Sequence, residues 1–213
     1  MIYEKKLKIA ITGGIASGKS ALSQFLINHG EHVIDLDVIS HNLTTNDKPT
    51  INLILNKFGE GILDQSGSID RAKLSNIVFN NFKFKKDLEE ILHPKIRNRM
   101  NQLIHSSKKE RVFVEVQLLA EKNMGSLFDH IIIVSVSKDQ QINRLKTIRM
   151  MDSNLINQIL DLQLTDEERK SKLSIYSNDI LENNGSEDAF QEKIESLYKK
   201  LVDQQSFNNI AID

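Results

Sequence analysis

The sequence lacks cysteine and tryptophan altogether, and only two of its 213 residues are proline. Without cysteine, disulfide bonds, thiol catalysis and cysteine-ligated metals are excluded. Long apolar runs are also missing: no segment approaches the about 20 residues of a membrane-spanning helix, and the N-terminal apolar run is too short for a signal peptide. We therefore expect a soluble cytoplasmic protein that does not bind a membrane.

An excess of charge of one sign is missing as well. The chain has 28 basic and 29 acidic side chains and a formal net charge of −1, so no overall basic field attracts nucleic acid. The six histidines are scattered and form no HExxH pattern, which argues against a histidine zinc site. The hydrophobic fraction of 39% and the length are typical of one globular domain, for which we infer no obligate protein partner.

Short apolar segments that alternate with longer amphipathic stretches predict five β-strands. Most of these segments are continuously apolar, which is typical of strands that are covered on both faces. The sequence therefore predicts an α/β domain of the doubly wound type, with a five-stranded parallel sheet wrapped by helices. The segments are LKIAIT (7–12), HVID (32–35), RVFVEV (111–116), HIIIVSV (130–136) and the weaker NDILEN (178–183).

A long helical stretch, roughly 36–110, separates the second and third predicted strands. No linker rich in proline, glycine or serine isolates it, so we interpret it as an insertion rather than as a separate domain. A second helical region of mixed charge, 138–173, follows the fourth strand. The helix patterns of the insertion are TINLILNKF, RAKLSNIVF, FKKDLEEIL and, after a break expected at Pro94, KIRNRMNQLI.

The first turn of the predicted sheet carries the pattern Gly13-x-x-x-x-Gly18-Lys19-Ser20, which is that of a phosphate-binding P-loop. The pattern follows an apolar strand and opens a helix. In that position the curled glycine backbone points N–H groups at phosphate oxygens, and the helix N-terminus adds its positive end. Lys19 would span the β- and γ-phosphates, and the Ser20 hydroxyl would hold magnesium. The alternative is a glycine turn capped by Ser20, with Lys19 in solvent.

The second predicted strand ends with two acids, Asp35 and Asp37, in HVIDLDVI. Two residues apart in an extended chain, they are expected to point to the same side. Ligands of open α/β sheets bind beyond the carboxyl ends of the strands, so we expect at least one acid to face the phosphates. There it can take the proton of an acceptor hydroxyl. Alternatively, one acid caps the helix that contains VISHNL, or both are structural.

Glu115 lies at the end of the third predicted strand, within RVFVEV. A carboxylate in this Walker B position could bind magnesium directly or through a water. The alternative is a charge at the strand end that is solvated by a loop.

Six strings in the same order resemble the dephospho-coenzyme A kinase family, from Lys8 to about Gly185. They are TGGIASGKS, VIDLDVI, the middle region SIDRAKLSNIVF with LEEILHPKI, VQLLAE, ILDLQ and SNDILENNG. The resemblance implies an ATP-dependent kinase that phosphorylates the ribose 3′-hydroxyl of dephospho-CoA, the last step of coenzyme A synthesis, with Mg²⁺ as cofactor.

The resemblance also implies a single P-loop kinase domain, 1–213. Its parts are a nucleotide-binding core (about 1–40, 106–137 and 174–213), a helical CoA-binding insertion (about 41–105) and a helical lid (about 138–173).

Residue roles follow from the same resemblance. Asp37 is implied to be the base, and Lys19 the cation that bridges the phosphates. Arg71 and His93 are implied to lie near the acceptor, and Arg144 to be a lid arginine that closes over ATP. The nucleotide-binding residues are Gly13, Gly14, Ala16, Ser17, Gly18, Lys19, Ser20 and Ala21.

The sequence departs from the family pattern in three places. Gln117 stands where proline is usual, and Ala120 replaces an aromatic residue. The second lid arginine usually follows the first by four residues, whereas Arg149 follows Arg144 by five. On a regular helix, four residues separate two side chains by about 40° and five by about 140°. Arg149 therefore takes the usual role only if the helix ends or bulges between the two arginines.

Several alternatives stay open on the residues alone. His93 could pack or cap at a helix start, and Arg71 could pair with Asp70 or Asp64 on the surface. The D-x-x-G string at 64–67 is typical of a nucleotide-dependent switch of the GTPase kind, although no N/T-K-x-D string that reads guanine occurs. A P-loop kinase for another acceptor, such as a nucleoside monophosphate or a sugar, would share the fold.

Overall fold

A computed structural model describes residues 6–79 and 81–210 of the chain, with side chains up to residue 203. Residues 1–5 and 211–213 of the predicted core and residue 80 of the predicted insertion lie outside the described residues. The strands are β1 (Leu7–Thr12), β2 (His32–Asp35), β3 (Arg111–Glu115), β4 (His130–Ser135) and β5 (Asn178–Glu182). The helices are α1 (Lys19–Asn28), α2 (Leu36–Thr45), α3 (Lys48–Phe58), α4 (Arg71–Phe79), α5 (Phe82–Ser106), α6 (Lys138–Thr147), α7 (Ser153–Asp161), α8 (Asp166–Leu173) and α9 (Glu187–Ile210).

The five strands form one sheet in the order β2-β3-β1-β4-β5. β1 lies in the middle and pairs in parallel with β3 and β4, and β4 pairs in parallel with β5. The consecutive residues Ile131, Ile132 and Ile133 are all fully buried. Since successive side chains of a strand point to opposite faces, both faces of the sheet are covered there. The predicted parallel α/β sheet is confirmed, and each predicted strand agrees with the observed bounds to within one residue.

The chain divides into two compact units: the first comprises the residues before Ile34 and after Lys108, and the second is Ile34–Lys108. The core of the first unit joins α1 and α9 to the sheet. Its buried residues are Ile9, Ile11, Leu22, Phe25, Leu26, Phe113, Ile132, Val134, Leu181, Phe190, Ile194 and Leu201. Burying apolar side chains of this size from helix and strand together is the main term that stabilises such a unit.

The second unit contains α2 to α5 and a separate small core of Ile54, Ile62, Leu74 and Leu92. Its D-x-x-G string forms a tight turn in which the Asp64 carboxylate accepts the N–H groups of Ser66 and Ser68. None of the helices in the part of the chain that the structure describes is long and apolar enough to cross a bilayer.

The helix break expected at Pro94 is wrong. α5 runs without interruption from Phe82 to Ser106 with Pro94 inside it. Proline removes one N–H donor and crowds the carbonyl four residues earlier, that of Glu90. Both Pro94 and Glu90 are exposed, so water can satisfy the freed carbonyl. Leu92 before the proline and Met100 after it are buried, and this packing on both sides holds the helix together.

A charged cluster links β4, β5 and α9. The Asp179 carboxylate lies 3.1 Å from His130 Nε2 and forms an ion pair with Lys200. Burial by itself would raise the pKa of Asp179, but the hydrogen bonds and charges of Lys200 and His130 outweigh it and lower this pKa. A lowered pKa in the folded state means that ionised Asp179 stabilises the fold above the unfolded-state pKa. That contribution is lost as the pH falls through the folded-state pKa.

We therefore predict that Asp179→Asn lowers the free energy of unfolding by on the order of 1 kcal/mol at pH 7. The difference from wild type should shrink below about pH 4, where the unfolded carboxyl binds a proton. Urea denaturation across this pH range measures it. Asp203→Asn, which changes an exposed aspartate on α9, the helix that carries Lys200, is the control. A difference that persists unchanged in acid would contradict the assignment.

Candidate active site

The loop between β1 and α1 adopts backbone conformations that require glycine. Gly13 has a φ of +153° and Gly18 a φ of +110°. A Cβ on Gly13 would lie 2.3 Å from the Val134 carbonyl oxygen, and a Cβ on Gly18 would lie 2.4 Å from Asn183 Nδ2. At Gly13 the clash is with backbone, so no other residue fits there, and at Gly18 a Cβ would displace the Asn183 side chain and strain the backbone. The loop thus curls tightly at the carboxyl end of the central strand, the backbone form that phosphate-binding loops use.

Lys19 is the first residue of α1, and its side chain folds back over this loop. Its ammonium donates to the carbonyls of Gly13 and Gly14, at 3.0 Å each, and the residue is only 8% exposed. The alternative of Lys19 in solvent is wrong, since the loop carbonyls hold it. The next residue, Ser20, is exposed, and Ser17 Oγ is buried with no hydrogen-bond partner in the described part of the chain.

Two glutamines from the 138–173 region bind the backbone N–H and carbonyl of Ile15 in the middle of the loop. Gln141 Nε2, on α6, donates to the Ile15 carbonyl at 2.6 Å. The Ile15 N–H donates to Gln163 Oε1, just after α7, at 3.0 Å. The sequence analysis missed both residues. Gln163 stands in ILDLQ, one of the strings that resemble the family, but the sequence analysis gave it no role. No pattern marks Gln141.

Arg144 of α6 also contacts the loop. Its NH1 donates to the Ala16 carbonyl at 3.2 Å, and its NH2 donates to both the carbonyl and Oδ1 of Asn183 at 2.9 Å. Asn183 in turn donates from Nδ2 to the Ser17 carbonyl at 2.8 Å. Burial lowers the pKa of Arg144, but a guanidinium stays protonated at neutral pH. The structure therefore brings Arg144 to the phosphate-binding loop together with Asn183, which the sequence analysis did not single out.

Arg149 does not continue the helix that carries Arg144. α6 ends at Thr147, and the N–H groups of Ile148 and Arg149 both donate to the Arg144 carbonyl. The five-residue spacing allowed Arg149 its usual role only if the helix ended between the two arginines. The helix does end there, so the 140° separation of a regular helix does not apply. Arg149 is exposed, and its role stays a prediction.

A buried ion pair that the sequence analysis missed lies beside the loop. Arg169 of α8 is 2% exposed, and its NH2 donates to Glu121 Oε1 and to the Leu164 carbonyl, at 3.0 Å each. A Cβ on Gly14 would lie 3.6 Å from Arg169 NH1. Gly14 and Arg169, with Gln141 and Gln163, line a cavity of about 650 Å³. The cavity is large enough for a small-molecule ligand.

Glu115 lies against α1. Ser23 Oγ donates to Glu115 Oε2 at 2.6 Å. The carboxylate therefore has a protein partner, and the alternative of a strand-end charge that is only solvated is wrong. Ser23 lies three residues after Ser20 on the same helix, which makes the two side chains neighbours. The described residues contain no group of three or more His, Cys, Asp or Glu side chains that could hold a metal. The Ser20 hydroxyl and the Glu115 carboxylate still suit Mg²⁺, because phosphates and waters supply most of the ligands of an ion that binds with a nucleotide.

The two acids where β2 meets α2 have different surroundings. Asp35 caps α2: its Oδ1 accepts the N–H of Asp37 at 2.7 Å and that of Val38 at 3.3 Å. Asp37 is an exposed residue in the first turn of α2. The expectation that both acids lie in extended chain and point to one side is wrong, because the strand ends at Asp35 and the helix begins at once. Capping by one acid of the pair was the alternative, and Asp35 is that acid.

Arg71 and His93 both lie in the second unit. Arg71 begins α4, and its NH1 lies 2.8 Å from His41 Nδ1. Its alternative partner Asp70 instead caps α4, accepting the N–H groups of Ala72 and Lys73. The sequence analysis missed His41. His93 is exposed on α5 and does not start a helix.

Comparison with known proteins identifies a family and shows a shared fold. Residues 7–189 match the family model described as dephospho-CoA kinase. The chain is 31% identical to the dephospho-CoA kinase of Thermobifida fusca over 92% of its own length and 96% of the relative. It is 26% identical to the solved dephospho-CoA kinase of Campylobacter jejuni, with a TM-score of 0.68 over 93% of this chain and 98% of that one. Crystalline TT1252 of Thermus thermophilus shares the fold, with a TM-score of 0.78 at 24% identity over 93% and 97% of the two chains.

Proposed function

Because the chain belongs to the dephospho-CoA kinase family, we propose that it phosphorylates the ribose 3′-hydroxyl of dephospho-CoA. ATP is the donor, Mg²⁺ accompanies it, and the products are coenzyme A and ADP. The observation that carries the proposal is the glycine loop with Lys19 folded over it, in a chain that matches the family along residues 7–189. The proposal includes a cytoplasmic location and needs no nucleic acid, membrane or partner protein.

The donor phosphates bind at the loop. Its N–H groups and the N-terminus of α1 offer hydrogen-bond donors and a positive dipole end, and Lys19 adds a full charge. On binding, the ammonium exchanges a carbonyl contact for the β- and γ-phosphate oxygens, where negative charge concentrates during transfer. Mg²⁺ supplies charge neutralisation when bound, and the Ser20 hydroxyl and Glu115 are the groups that hold it or its waters.

Asp37 acts on the acceptor. Asp35 caps α2, and Asp37 is the exposed acid in the first turn of the same helix, where it presents the hydroxyl. The 3′-oxygen attacks the γ-phosphorus, the bond between that phosphorus and the bridging oxygen breaks, and ADP leaves with the electron pair. The hydroxyl proton passes to the Asp37 carboxylate. Arg71 and His93 bind the acceptor in this scheme.

Residues 138–173 act as a lid over the nucleotide. The contacts of Gln141, Gln163 and Arg144 with the loop backbone support this assignment. A closed lid excludes water, which otherwise competes with the acceptor hydroxyl and turns transfer into ATP hydrolysis. Residues 41–105 form the acceptor-binding insertion.

An ADP-release assay with ATP–Mg²⁺ and separate acceptors tests the proposal. The acceptors are dephospho-CoA, adenosine, nucleoside monophosphates and water alone. We expect dephospho-CoA to give a rate at least about tenfold above any other acceptor, with the new phosphate located on the 3′-oxygen by mass spectrometry and NMR. Faster transfer to a nucleoside monophosphate would overturn the acceptor assignment. ADP release that no acceptor stimulates would indicate a nucleotide-dependent switch instead.

A further inference from the structure

A histidine with no assigned role lies between two proposed acceptor residues. Asp37 and His41 are four residues apart on α2, and both are exposed. Side chains at this spacing lie on one face of a helix, one turn apart. His41 Nδ1 also contacts Arg71 NH1 at 2.8 Å. His41 thus shares a helix face with Asp37 and contacts Arg71, and all three residues belong to the second unit.

The contact fixes the chemistry of His41. A guanidinium carries only donors and stays protonated, so Arg71 must donate and Nδ1 must accept. The backbone of Arg71 is fixed independently, because Asp70 caps α4 at this point and a bridge between Leu63 and Ile69 closes the preceding turn. His41 thus restrains the one flexible part of Arg71, which is its long side chain.

We infer that His41 is a positioning residue that holds the Arg71 guanidinium ready for the acceptor's 5′-diphosphate. The inference rests on the proposed function, because dephospho-CoA carries that diphosphate on the same ribose as the 3′-hydroxyl. With the hydroxyl at Asp37, the guanidinium that contacts His41, one helical turn along α2, is placed for the neighbouring phosphates. A guanidinium binds phosphate oxygens in pairs and so also sets the direction of the ribose. An arginine that is already ordered loses less side-chain entropy when the acceptor binds.

Steady-state kinetics of His41 variants test this inference. His41→Ala should raise the KM for dephospho-CoA by about three- to tenfold, the worth of one hydrogen bond, and leave kcat and the KM for ATP within about twofold. His41→Asn should restore most of the loss, because its Oδ1 can accept from Arg71 in place of Nδ1. His105→Ala, which removes an exposed histidine from the last turn of α5, should change neither KM. Thermal unfolding of each variant confirms that it is folded.

A double-mutant cycle with Arg71→Ala completes the test. If His41 acts through Arg71, adding His41→Ala to Arg71→Ala should raise the KM for dephospho-CoA no further. Additive effects, an equal rise in the KM for ATP, or failure of Asn to rescue would each overturn the inference. The wild-type assay separates this outcome from failure of the proposed function: a protein that phosphorylates another acceptor fails there, before any His41 variant is compared.

Discussion

Lys19→Met should lower the kcat of phosphoryl transfer by about 10²- to 10³-fold. Methionine keeps an unbranched side chain of similar length but removes the positive charge from the loop. That charge stabilises the transition state most, because negative charge then spreads over the oxygens of the transferred group in a site that excludes water. Because Lys19 is only 8% exposed, its charge is poorly screened by solvent. Quenched-flow measurement of ADP formation with dephospho-CoA gives the rate.

The matched control is Lys146→Met, which removes an exposed lysine from α6. It should leave kcat within about twofold, as surface charges contribute little. Thermal unfolding and ATP titration show whether the Lys19 variant still folds and binds nucleotide, since it also loses two contacts to loop carbonyls. A folded Lys19→Met protein with a rate near wild type would refute the role of the ammonium in transfer.

Asp37→Asn should lower kcat by about 10²- to 10⁴-fold while both substrates still bind. Asparagine has the shape of aspartate but cannot take the hydroxyl proton. Asp37 is exposed in the first turn of α2, so the change leaves the packing of the second unit intact. Binding of ATP and of dephospho-CoA, measured separately by calorimetry, should stay within a few-fold of wild type.

Asp35→Asn is the control for this substitution. Asparagine caps a helix about as well as aspartate, so the N–H groups of Asp37 and Val38 stay bonded and transfer should remain largely intact. The reverse pattern, with Asp35→Asn inactive and Asp37→Asn active, would reassign the base. Transfer that survives both substitutions would mean that no side-chain base is needed.

The sheet and the phosphate-binding loop could be predicted because their signals are local. A continuous apolar strand, a glycine turn and a lysine opening a helix stand side by side in the sequence, from Leu7 to Lys19. The helix across Pro94 could not be predicted in this way. A proline is tolerated inside a helix only when its neighbours are packed and the affected carbonyl faces water, and both conditions depend on the fold.

The residues that contact the loop from a distance carry no local signal. Gln141 and Ile15 are 126 residues apart in the sequence, and Asn183 and Ser17 are 166 apart. From the sequence, a glutamine on an amphipathic helix is expected to face solvent. Only the fold shows that a backbone carbonyl lies next to it. The same holds for His41, whose partner Arg71 is 30 residues away. The strand end at Asp35 was predicted, but the extended conformation expected for Asp37 was wrong because α2 begins directly after the strand without any turn residue.

The residues proposed to handle the donor and those proposed to handle the acceptor are separated along the chain. Lys19, Ser20, Glu115 and Arg144 belong to the first compact unit, whereas the residues assigned to the acceptor all fall within 34–108. One continuous segment of the sequence thus contains the proposed base together with the residues proposed to bind the acceptor. Recombination across that one stretch could give a kinase a new acceptor in one event, with its nucleotide chemistry inherited unchanged.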